Sequence, residues 1–147
     1  SLCGCQKNKK IKEDENQAFY WYKRAADADD AIAQYHVSRC YFCGHGVIQD
    51  IDSSMRWAKM AVKQNSTPAK LILAFCYGNQ GSYNTAFELL TEAAEAGYGD
   101  AQYCLGDCYE SGKWGRKNIK TAISWYKKAA ENGDSDAIEK LKELGVE

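Results

Sequence analysis

Apolar side chains recur along this chain with the spacing of one face of an α-helix. A first example occupies positions i, i+3, i+4, i+7 and i+8: Ala18, Trp21, Tyr22, Ala25 and Ala26. Such spacing predicts an amphipathic helix. Similar stretches follow, separated by signals such as the glycines of residues 44–46 and the proline of residues 67–68. Glycine readily ends a helix and proline is tolerated in a first turn, so the pattern predicts a succession of short helices.

Two sets of small residues mark a repeat. The alanines that open the first helix of each unit lie 36, 32 and 36 residues apart: Ala33, Ala69, Ala101 and Ala137. The small residues of the second helices show the same three steps: Ala18, Ser54, Ala86 and Ala122. A fixed period built from two amphipathic helices predicts an all-α fold, an α-solenoid of stacked helix pairs. The shorter step assigns a shortened inner loop to residues 78–83.

The period places the whole chain in one array. We expect a partial N-terminal repeat at 1–30, complete repeats at 31–66, 67–99 and 100–135, and a C-terminal capping helix at 136–147. Residues 2–5 are predicted to end a truncated first helix, and residues 7–14 to form an inner loop. The array therefore begins in the middle of a repeat. The outer side of the last helix is polar, as the end of a repeat array requires.

Composition and charge narrow the classes of function. The chain has 147 residues, of which 45% are hydrophobic, and a net charge of −1. These values are typical of a globular protein and give no electrostatic signal for nucleic acid. The longest apolar stretch, near residues 71–75, is far shorter than the roughly 18 residues that a membrane span needs. No secretory signal is visible and the chain opens with Ser1, so we expect a fragment or a processed piece.

The seven cysteines are interpreted through the repeat. Cys40, Cys76 and Cys108 stand 36 and 32 residues apart, and Cys104 is the repeat equivalent of His36. Equivalent positions in stacked repeats lie about 10 Å apart, whereas a disulfide needs Cα atoms within about 7 Å. We therefore predict that these cysteines are packing residues in a reducing compartment, which favours a cytoplasmic protein.

Reactive groupings are sparse. Cys40 and Cys43, with His45 nearby, resemble half of a zinc site, but no second CxxC pair completes it. They also lack the strand-to-helix setting of thiol redox motifs. Neither a nucleophile with its base and orienting acid nor a phosphate-binding glycine loop is visible. The sequence predicts no metal, no cofactor and no catalysis. The basic run at residues 7–12 is interpreted as a solvated loop.

The most regular unit carries a family resemblance. Residues 101–109 read Ala-Gln-Tyr-Cys-Leu-Gly-Asp-Cys-Tyr, and residues 122–133 read Ala-Ile-Ser-Trp-Tyr-Lys-Lys-Ala-Ala-Glu-Asn-Gly. Both stretches resemble the Sel-1-like repeat, a relative of the tetratricopeptide repeat. The pattern returns at residues 18–26, 33–50 and 86–97. The resemblance therefore covers nearly the whole chain from about Ile11 onward.

Four departures from the family pattern stand out. Ser38 and Ala74 replace the glycine that the family favours and that is present at Gly106. Trp114 stands at the position that Gly46 occupies in the first complete repeat. The inner loop of the second repeat is also short. We expect these departures to affect the regularity of curvature more than the fold.

The resemblance implies a right-handed superhelix of antiparallel helix pairs that serves as a non-catalytic adaptor. It also implies that the first helices line a concave face, against which a peptide or partner protein lies. By position, the expected partner-binding residues are Tyr35, Arg39, Phe42, Leu71, Phe75, Tyr103, Asp107 and Glu110. The competing interpretation is that Tyr35, Leu71 and Tyr103 simply pack between repeats.

Three interpretations of the function remain open at this point. The first is a free-standing scaffold for protein complexes. The alternative is the substrate- or partner-docking repeat region of a larger signalling enzyme such as a protein kinase. A third is a secreted or ER-lumen adaptor, which the glycosylation motif at residues 65–67 suggests and against which Pro68 and the odd cysteine count weigh. All three predict a protein or peptide partner, without nucleic acid and without membrane insertion.

Overall fold

Helices account for the secondary structure of the described chain. The computed structural model describes residues 12–146, a range that contains no strand. Its α-helices are α1 (Lys12–Asp27), α2 (Ala31–Cys43), α3 (Ile51–Lys63), α4 (Thr67–Asn79), α5 (Tyr83–Glu95), α6 (Gly99–Ser111), α7 (Ile119–Glu131) and α8 (Ser135–Glu143). A short 3-10 helix, Lys113–Gly115, lies between α6 and α7. The prediction of an all-α fold is confirmed.

Successive helices form pairs that stack along the chain. Helix α2 packs on α3, α4 on α5, and α6 on α7, while α3–α4 and α5–α6 contacts join one pair to the next. Short connections make neighbouring helices antiparallel. The first helices also touch one another directly, as α2 touches α4. This is the predicted α-solenoid, in which each pair buries its apolar surface against its neighbours.

Helix α1 extends further toward the N-terminus than its apolar pattern indicates. It begins at Lys12, so the prediction of an inner loop is wrong for residues 12–14. Three acidic side chains in its first turn, Glu13, Asp14 and Glu15, suit the positive end of the helix dipole. The predicted helix end at residues 2–5 and the rest of the predicted loop lie outside the described residues.

Side-chain caps fix the start of most first helices. Asp30, Ser66 and Asp134 each accept a hydrogen bond from the backbone N–H three residues later, at 2.9, 3.3 and 3.0 Å. Such an N-cap contributes typically about 1 kcal/mol to stability. Helix α6 is different because Tyr98 occupies the equivalent position and makes no side-chain cap. The Tyr98 side chain contributes elsewhere, to the surface formed by the first helices.

The crossing point within each helix pair requires a small residue on the first helix. An added Cβ on Gly106 would lie 2.7 Å from the Tyr126 ring, and Tyr126 is fully buried. The repeat equivalents of Tyr126 are Leu90 and Ala58, which are smaller and leave room for Ala74 and Ser38. The absence of glycine at those two positions is therefore compensated by the facing helix.

Ser38 is further accommodated by a second serine on the helix that it faces. The Ser38 hydroxyl donates to the Ser54 carbonyl oxygen at 2.7 Å, and the Ser54 hydroxyl donates to the Ser38 carbonyl oxygen at 2.8 Å. Both side chains are fully buried. Each hydroxyl group donates to a backbone carbonyl oxygen of the facing helix. Both buried hydroxyl groups therefore have a hydrogen-bond partner, as buried polar groups in folded proteins do.

The two other departures from the repeat pattern, Trp114 and the short α4–α5 loop, have one structural explanation. Trp114 adopts a left-handed backbone conformation with φ 64°, which is rare for a large side chain. Its ring lies directly over Gly78, since an added Cβ there would stand 2.3 Å from Trp114 Cζ2. The 3-10 helix that carries Trp114 packs on α5, beside the short α4–α5 loop. The missing residues of that loop leave the space that Trp114 fills.

The cysteines among the described residues divide into two groups. Cys40, Cys76 and Cys108, the three repeat-equivalent cysteines, are free, as predicted. Burial raises the pKa of the Cys40 thiol to about 11 and that of Cys108 to about 12. Cys43 and Cys104, in contrast, are disulfide-bonded. The prediction that Cys104 is a free packing residue is therefore wrong, and the argument for a reducing compartment loses that support.

Alkylation under native conditions is expected to separate these groups. At pH 8, iodoacetamide should label Cys40 and Cys108 at least about 100-fold more slowly than an exposed cysteine, because only the thiolate reacts and burial raises both pKa values. In denaturant without reductant, peptide mass mapping should find label on the three free cysteines and none on Cys43 or Cys104. Complete labelling of Cys43 or Cys104 in that sample would contradict the disulfide assignment.

Candidate functional site

The predicted binding residues all lie on α2, α4 and α6, which we call the first-helix face. Seven of the eight are partly exposed: Tyr35, Arg39, Phe42, Phe75, Tyr103, Asp107 and Glu110. Leu71 differs because only 2% of its surface is exposed and it belongs to the central hydrophobic cluster. Leu71 is therefore a core residue that a partner does not reach in this structure. Of the two predicted binding residues on α4, Phe75 is the one that a partner can reach.

Aromatic rings form a continuous row across the end of the first-helix face nearest the inner loops. The Phe42 and Phe75 ring centroids are 6.3 Å apart, and Phe75 lies 5.8 Å from Trp114. Trp114 occupies the place on α4 where Gly78 has no side chain. Each ring packs against the core on one side and is partly exposed on the other. We call Phe42, Phe75 and Trp114 the aromatic row.

Cationic side chains accompany this row. Lys113 Nζ lies 4.9 Å from the centroid of Phe75 and 5.3 Å from that of Trp114, within the range of a cation–π interaction. Arg39 stands one turn before Phe42 on the same face of α2. Sequence reasoning missed Lys113 and Trp114 because it searched the helices, although the replacement of a loop glycine by Trp114 was the available signal.

The acidic residues of α6 are not equally available. The Tyr126 hydroxyl donates to Glu110 Oε1 at 2.6 Å, and Lys140 Nζ lies 3.5 Å from the same oxygen. Burial and the hydrogen bond to Glu110 both raise the pKa of Tyr126. The Tyr103 ring lies 5.6 Å from that of Tyr126. Glu110 and Tyr103 therefore connect α6 to α7 and α8, which leaves Asp107 as the partly exposed acid of the predicted set that does not make these contacts.

At the opposite end of the first-helix face, Tyr98 contacts residues of both α2 and α6. Burial raises its pKa, as do its interactions with Tyr35 and Asp100. The Tyr98 hydroxyl lies 3.2 Å from a carboxylate oxygen of Asp100, and its contact with Tyr35 links α6 to α2. Tyr35 is therefore partly committed to an internal contact. The sequence signal that would have identified Tyr98 is its place among the N-cap residues Asp30, Ser66 and Asp134.

A shallow cleft opens beside Tyr35. It has a volume of about 490 Å³ and lies between the α2 and α4 N-termini, where Ile32, Tyr35 and Pro68 provide apolar walls. His36 also lines it, and both burial and the nearby Arg39 lower the pKa of His36. Its ring stacks on Tyr22 with centroids 4.4 Å apart. This packing explains His36 without a catalytic or metal-binding role.

Neither a metal site nor a membrane span is found in the part of the chain that the structure describes. Across residues 12–146, no cluster of three or more His, Cys, Asp or Glu side chains is arranged to hold a metal ion. In the same range, no helix has the length and apolar character needed to cross a bilayer.

Comparison with known proteins places this geometry in a family. The family model for the Sel1 repeat matches residues 8–30, 31–66, 69–98 and 99–134. The chain is 33% identical over 136 residues to the chitin synthase regulator SKT5 of Saccharomyces cerevisiae, a match that covers 88% of this chain and 20% of the relative. It is 28% identical to the mouse DAP3-binding cell death enhancer 1, covering 89% of this chain and 34% of that protein.

Solved structures agree with the sequence relatives. The protective antigen c5321 of uropathogenic Escherichia coli, which displays an SLR fold, superimposes with a TM-score of 0.73 at 32% identity, covering 88% of this chain and 29% of that one. A Sel1 repeat protein from Oxalobacter formigenes gives 0.70 at 31% identity, covering 89% and 56%. The chain spans about a fifth of the length of the yeast regulator. Family model, relatives and structures agree, and the chain belongs to the Sel1 repeat family.

Proposed function

We propose that this repeat array is a non-catalytic scaffold that binds a partner protein or peptide on its first-helix face. The observation that carries the proposal is the aromatic row of Phe42, Phe75 and Trp114, a continuous series of partly exposed rings with the cation of Lys113 4.9 Å from the Phe75 centroid. Aromatic and arginine side chains dominate the binding energy of protein interfaces. A large half-buried ring also loses little conformational freedom when a partner covers it.

The charges around the row indicate what a partner would present. Lys113 lies over the Phe75 ring and is well exposed, and Arg39 stands one turn before Phe42 on α2. An apolar side chain would fill the space over Phe42 and Phe75, and an acidic group would pair with the adjacent cations. Asp107 lies on α6, further along the face, and favours a basic group there. The partner proposed is therefore an apolar segment with charges of both signs.

The names of the relatives support a regulatory role. One relative is a regulator of chitin synthase and another is described as DAP3-binding. Because the chain spans only 20% and 34% of these two proteins, neither partner is transferred to it. The relatives support binding and regulation in general, while the first-helix face is our own assignment.

Charge reversal beside the aromatic row is expected to weaken partner binding. In Arg39→Glu/Lys113→Glu, the two cations become repulsive to the acidic group proposed on the partner. Quantitative affinity capture should show partners retained at least about tenfold less than by the unchanged chain, which corresponds to about 1.4 kcal/mol. The matched control is Lys120→Glu/Lys127→Glu, which reverses two exposed charges on α7.

The control defines what would contradict the proposal. Circular dichroism should show the same helicity for both variants, because all four side chains lie at the surface or its edge. Partners captured equally by the two variants would show that the first-helix face is not the binding surface. Selective loss with the α7 control would move the binding surface to the second helices. Either result would overturn the assignment.

A further inference from the structure

The loop between α6 and α7 concentrates positive charge. Lys113, Arg116 and Lys117 lie in this loop, and all three side chains are exposed. Residues 111–130 contain no aspartate or glutamate. None of the three cations lies within ion-pair distance of a carboxylate of residues 12–146. We call these three residues the basic loop, whose charges the described part of the chain leaves without a counter-charge.

The surface next to the basic loop also lacks acidic groups. Arg116 Nη2 lies 3.4 Å from Asn84 Oδ1, in the first turn of α5, and its guanidinium carbon lies 4.7 Å from the Phe87 ring centroid. Residues 76–87, which include Asn84 and the α4–α5 loop, contain no aspartate or glutamate. The positive charge of the basic loop therefore extends over the edge of two neighbouring repeats.

Two of the cations are held in place by aromatic rings. Lys113 Nζ lies 4.9 Å from the Phe75 centroid, and Arg116 stands over Phe87. Both rings pack against Trp114, with centroids 5.8 Å away in each case. Cation–π contacts of this kind orient a side chain before a partner arrives. Because the two cations stand over different rings, their charges are spread along the loop, which suits several acidic side chains better than a single anion.

The equivalent loop of the first complete repeat carries no such charge. The α2–α3 loop has the same length, and its residues equivalent to Lys113, Arg116 and Lys117 are not lysine or arginine: His45, Ile48 and Gln49. An inner loop of this length therefore folds without the three cations. Their presence in the α6–α7 loop is a local addition that the packing of the repeats does not explain.

The surroundings of the basic loop favour a short acidic peptide over a larger polyanion. Asp107 and Glu110 lie on α6 just before the loop, and the whole chain has a net charge of −1. A nucleic acid or an anionic bilayer gains affinity from contacts with many cations, and a surface that size would also meet these two acids. Lys120 does not enlarge the patch toward the loop, because it shares the outer stripe of α7 with Ser124 and Lys127.

We propose that the basic loop is the docking site for an acidic segment of the partner protein. The inference rests on the proposed function, because Lys113 and Trp114 join the basic loop to the aromatic row. The apolar part of the partner lies on the aromatic row, and its acidic part crosses the edge of the array toward α5, where carboxylates pair with Arg116 and Lys117. Complementary charges of this kind fix the direction in which a partner segment binds.

Fluorescence anisotropy tests the inference with a fluorescein-labelled peptide that has a Leu-Phe centre flanked by glutamates. A comparison peptide carries glutamine in place of each glutamate. At about 50 mM salt, the unchanged chain should bind the glutamate peptide at least about tenfold more tightly than the glutamine peptide, and added salt should reduce this preference. Arg116→Gln/Lys117→Gln should lower the preference at least about fivefold, because each exposed charge contributes a modest share of the binding.

Two further variants separate the site from net charge and from folding. Lys63→Gln/Lys127→Gln removes as many positive charges from exposed positions on α3 and α7 and should leave the preference for glutamate unchanged. Lys117→Gln alone keeps the contacts of Arg116 with Asn84 and Phe87. It should therefore melt at the same temperature as the unchanged chain, while its preference falls at least about twofold.

Three results would overturn the inference. The first is an unchanged chain that binds both peptides equally, and the second is an equal loss of preference in Arg116→Gln/Lys117→Gln and in the Lys63/Lys127 control. The third is tighter binding of a single-stranded oligonucleotide or of phosphatidylserine vesicles, lost in the same loop variant, which would assign the loop to another class of partner. Partner capture that depends on Arg39 and Lys113 but not on Arg116 and Lys117 would exclude the basic loop and leave the proposed function intact.

Discussion

Replacing Leu105 by alanine is expected to lower the free energy of unfolding by about 2 to 5 kcal/mol. Leu105 lies on α6 within the central hydrophobic cluster, and its side chain is fully buried. Alanine removes apolar contacts and leaves a cavity, which the packed helices on both sides cannot collapse to fill. Because each pair is stabilised by its neighbours, the loss should lower the stability of the whole array. Chemical denaturation followed by circular dichroism measures the change.

The control for Leu105 is an apolar residue outside the packing. Ile48 is 89% exposed in the loop between α2 and α3, so Ile48→Ala should change the free energy of unfolding by no more than about 0.5 kcal/mol. A change of that small size for Leu105→Ala would show that α6 does not bury the face that its sequence predicts. Comparable losses for both variants would point to a general effect of shortening apolar side chains.

The fold could be predicted from the sequence because the repeat period depends on many residues together. The steps of 36, 32 and 36 residues follow from helix length and loop length together, and stacking then requires the apolar positions to face one another. Individual departures do not disturb this outcome. Ser38 remains compatible because Ser54 and Ala58 provide a polar partner and space on the facing helix.

The binding surface was less predictable because exposure depends on contacts that the period does not contain. Leu71 and Tyr35 occupy the same repeat position, yet Leu71 is buried and Tyr35 is partly exposed. Tyr98 joins the face only because it replaces a capping residue and meets Tyr35 across α4. Trp114 joins the binding surface from the short 3-10 helix between α6 and α7. Each of these placements is set by one local contact between repeats.

The pairing of the cysteines was also only partly predictable from the repeat period. The repeat argument concerns pairs at equivalent positions, and Cys40, Cys76 and Cys108 are indeed free. Cys43 is not equivalent to any of them, so the argument did not apply to it. Cys43 and Cys104 are disulfide-bonded, which the comparison of equivalent positions did not predict. The expectation of a cytoplasmic location therefore stays a prediction, and the alkylation experiment bears on it.

Introducing a single methyl group at Gly78 is expected to lower the free energy of unfolding by about 1 to 3 kcal/mol. The added Cβ in Gly78→Ala would stand 2.3 Å from Trp114 Cζ2 and 2.8 Å from Nε1, so the indole must move. Its movement would disturb the contacts of Trp114 with Phe75 and Phe87, whose centroids each lie 5.8 Å away. The aromatic row would lose its terminal ring. Thermal and chemical denaturation measure the loss.

The sign of the effect should reverse once Trp114 is removed. Trp114→Gly relieves the left-handed backbone at φ 64°, at the cost of the ring contacts. In that background Gly78 lies inside α4 with no ring above it, and Gly78→Ala should stabilise by about 0.5 to 1 kcal/mol because alanine favours the helix. An equal loss from Gly78→Ala in both backgrounds would contradict the pairing of Trp114 with Gly78. A reversal of sign would establish that the shortened loop, Gly78 and Trp114 form one unit, and that the aromatic row depends on it.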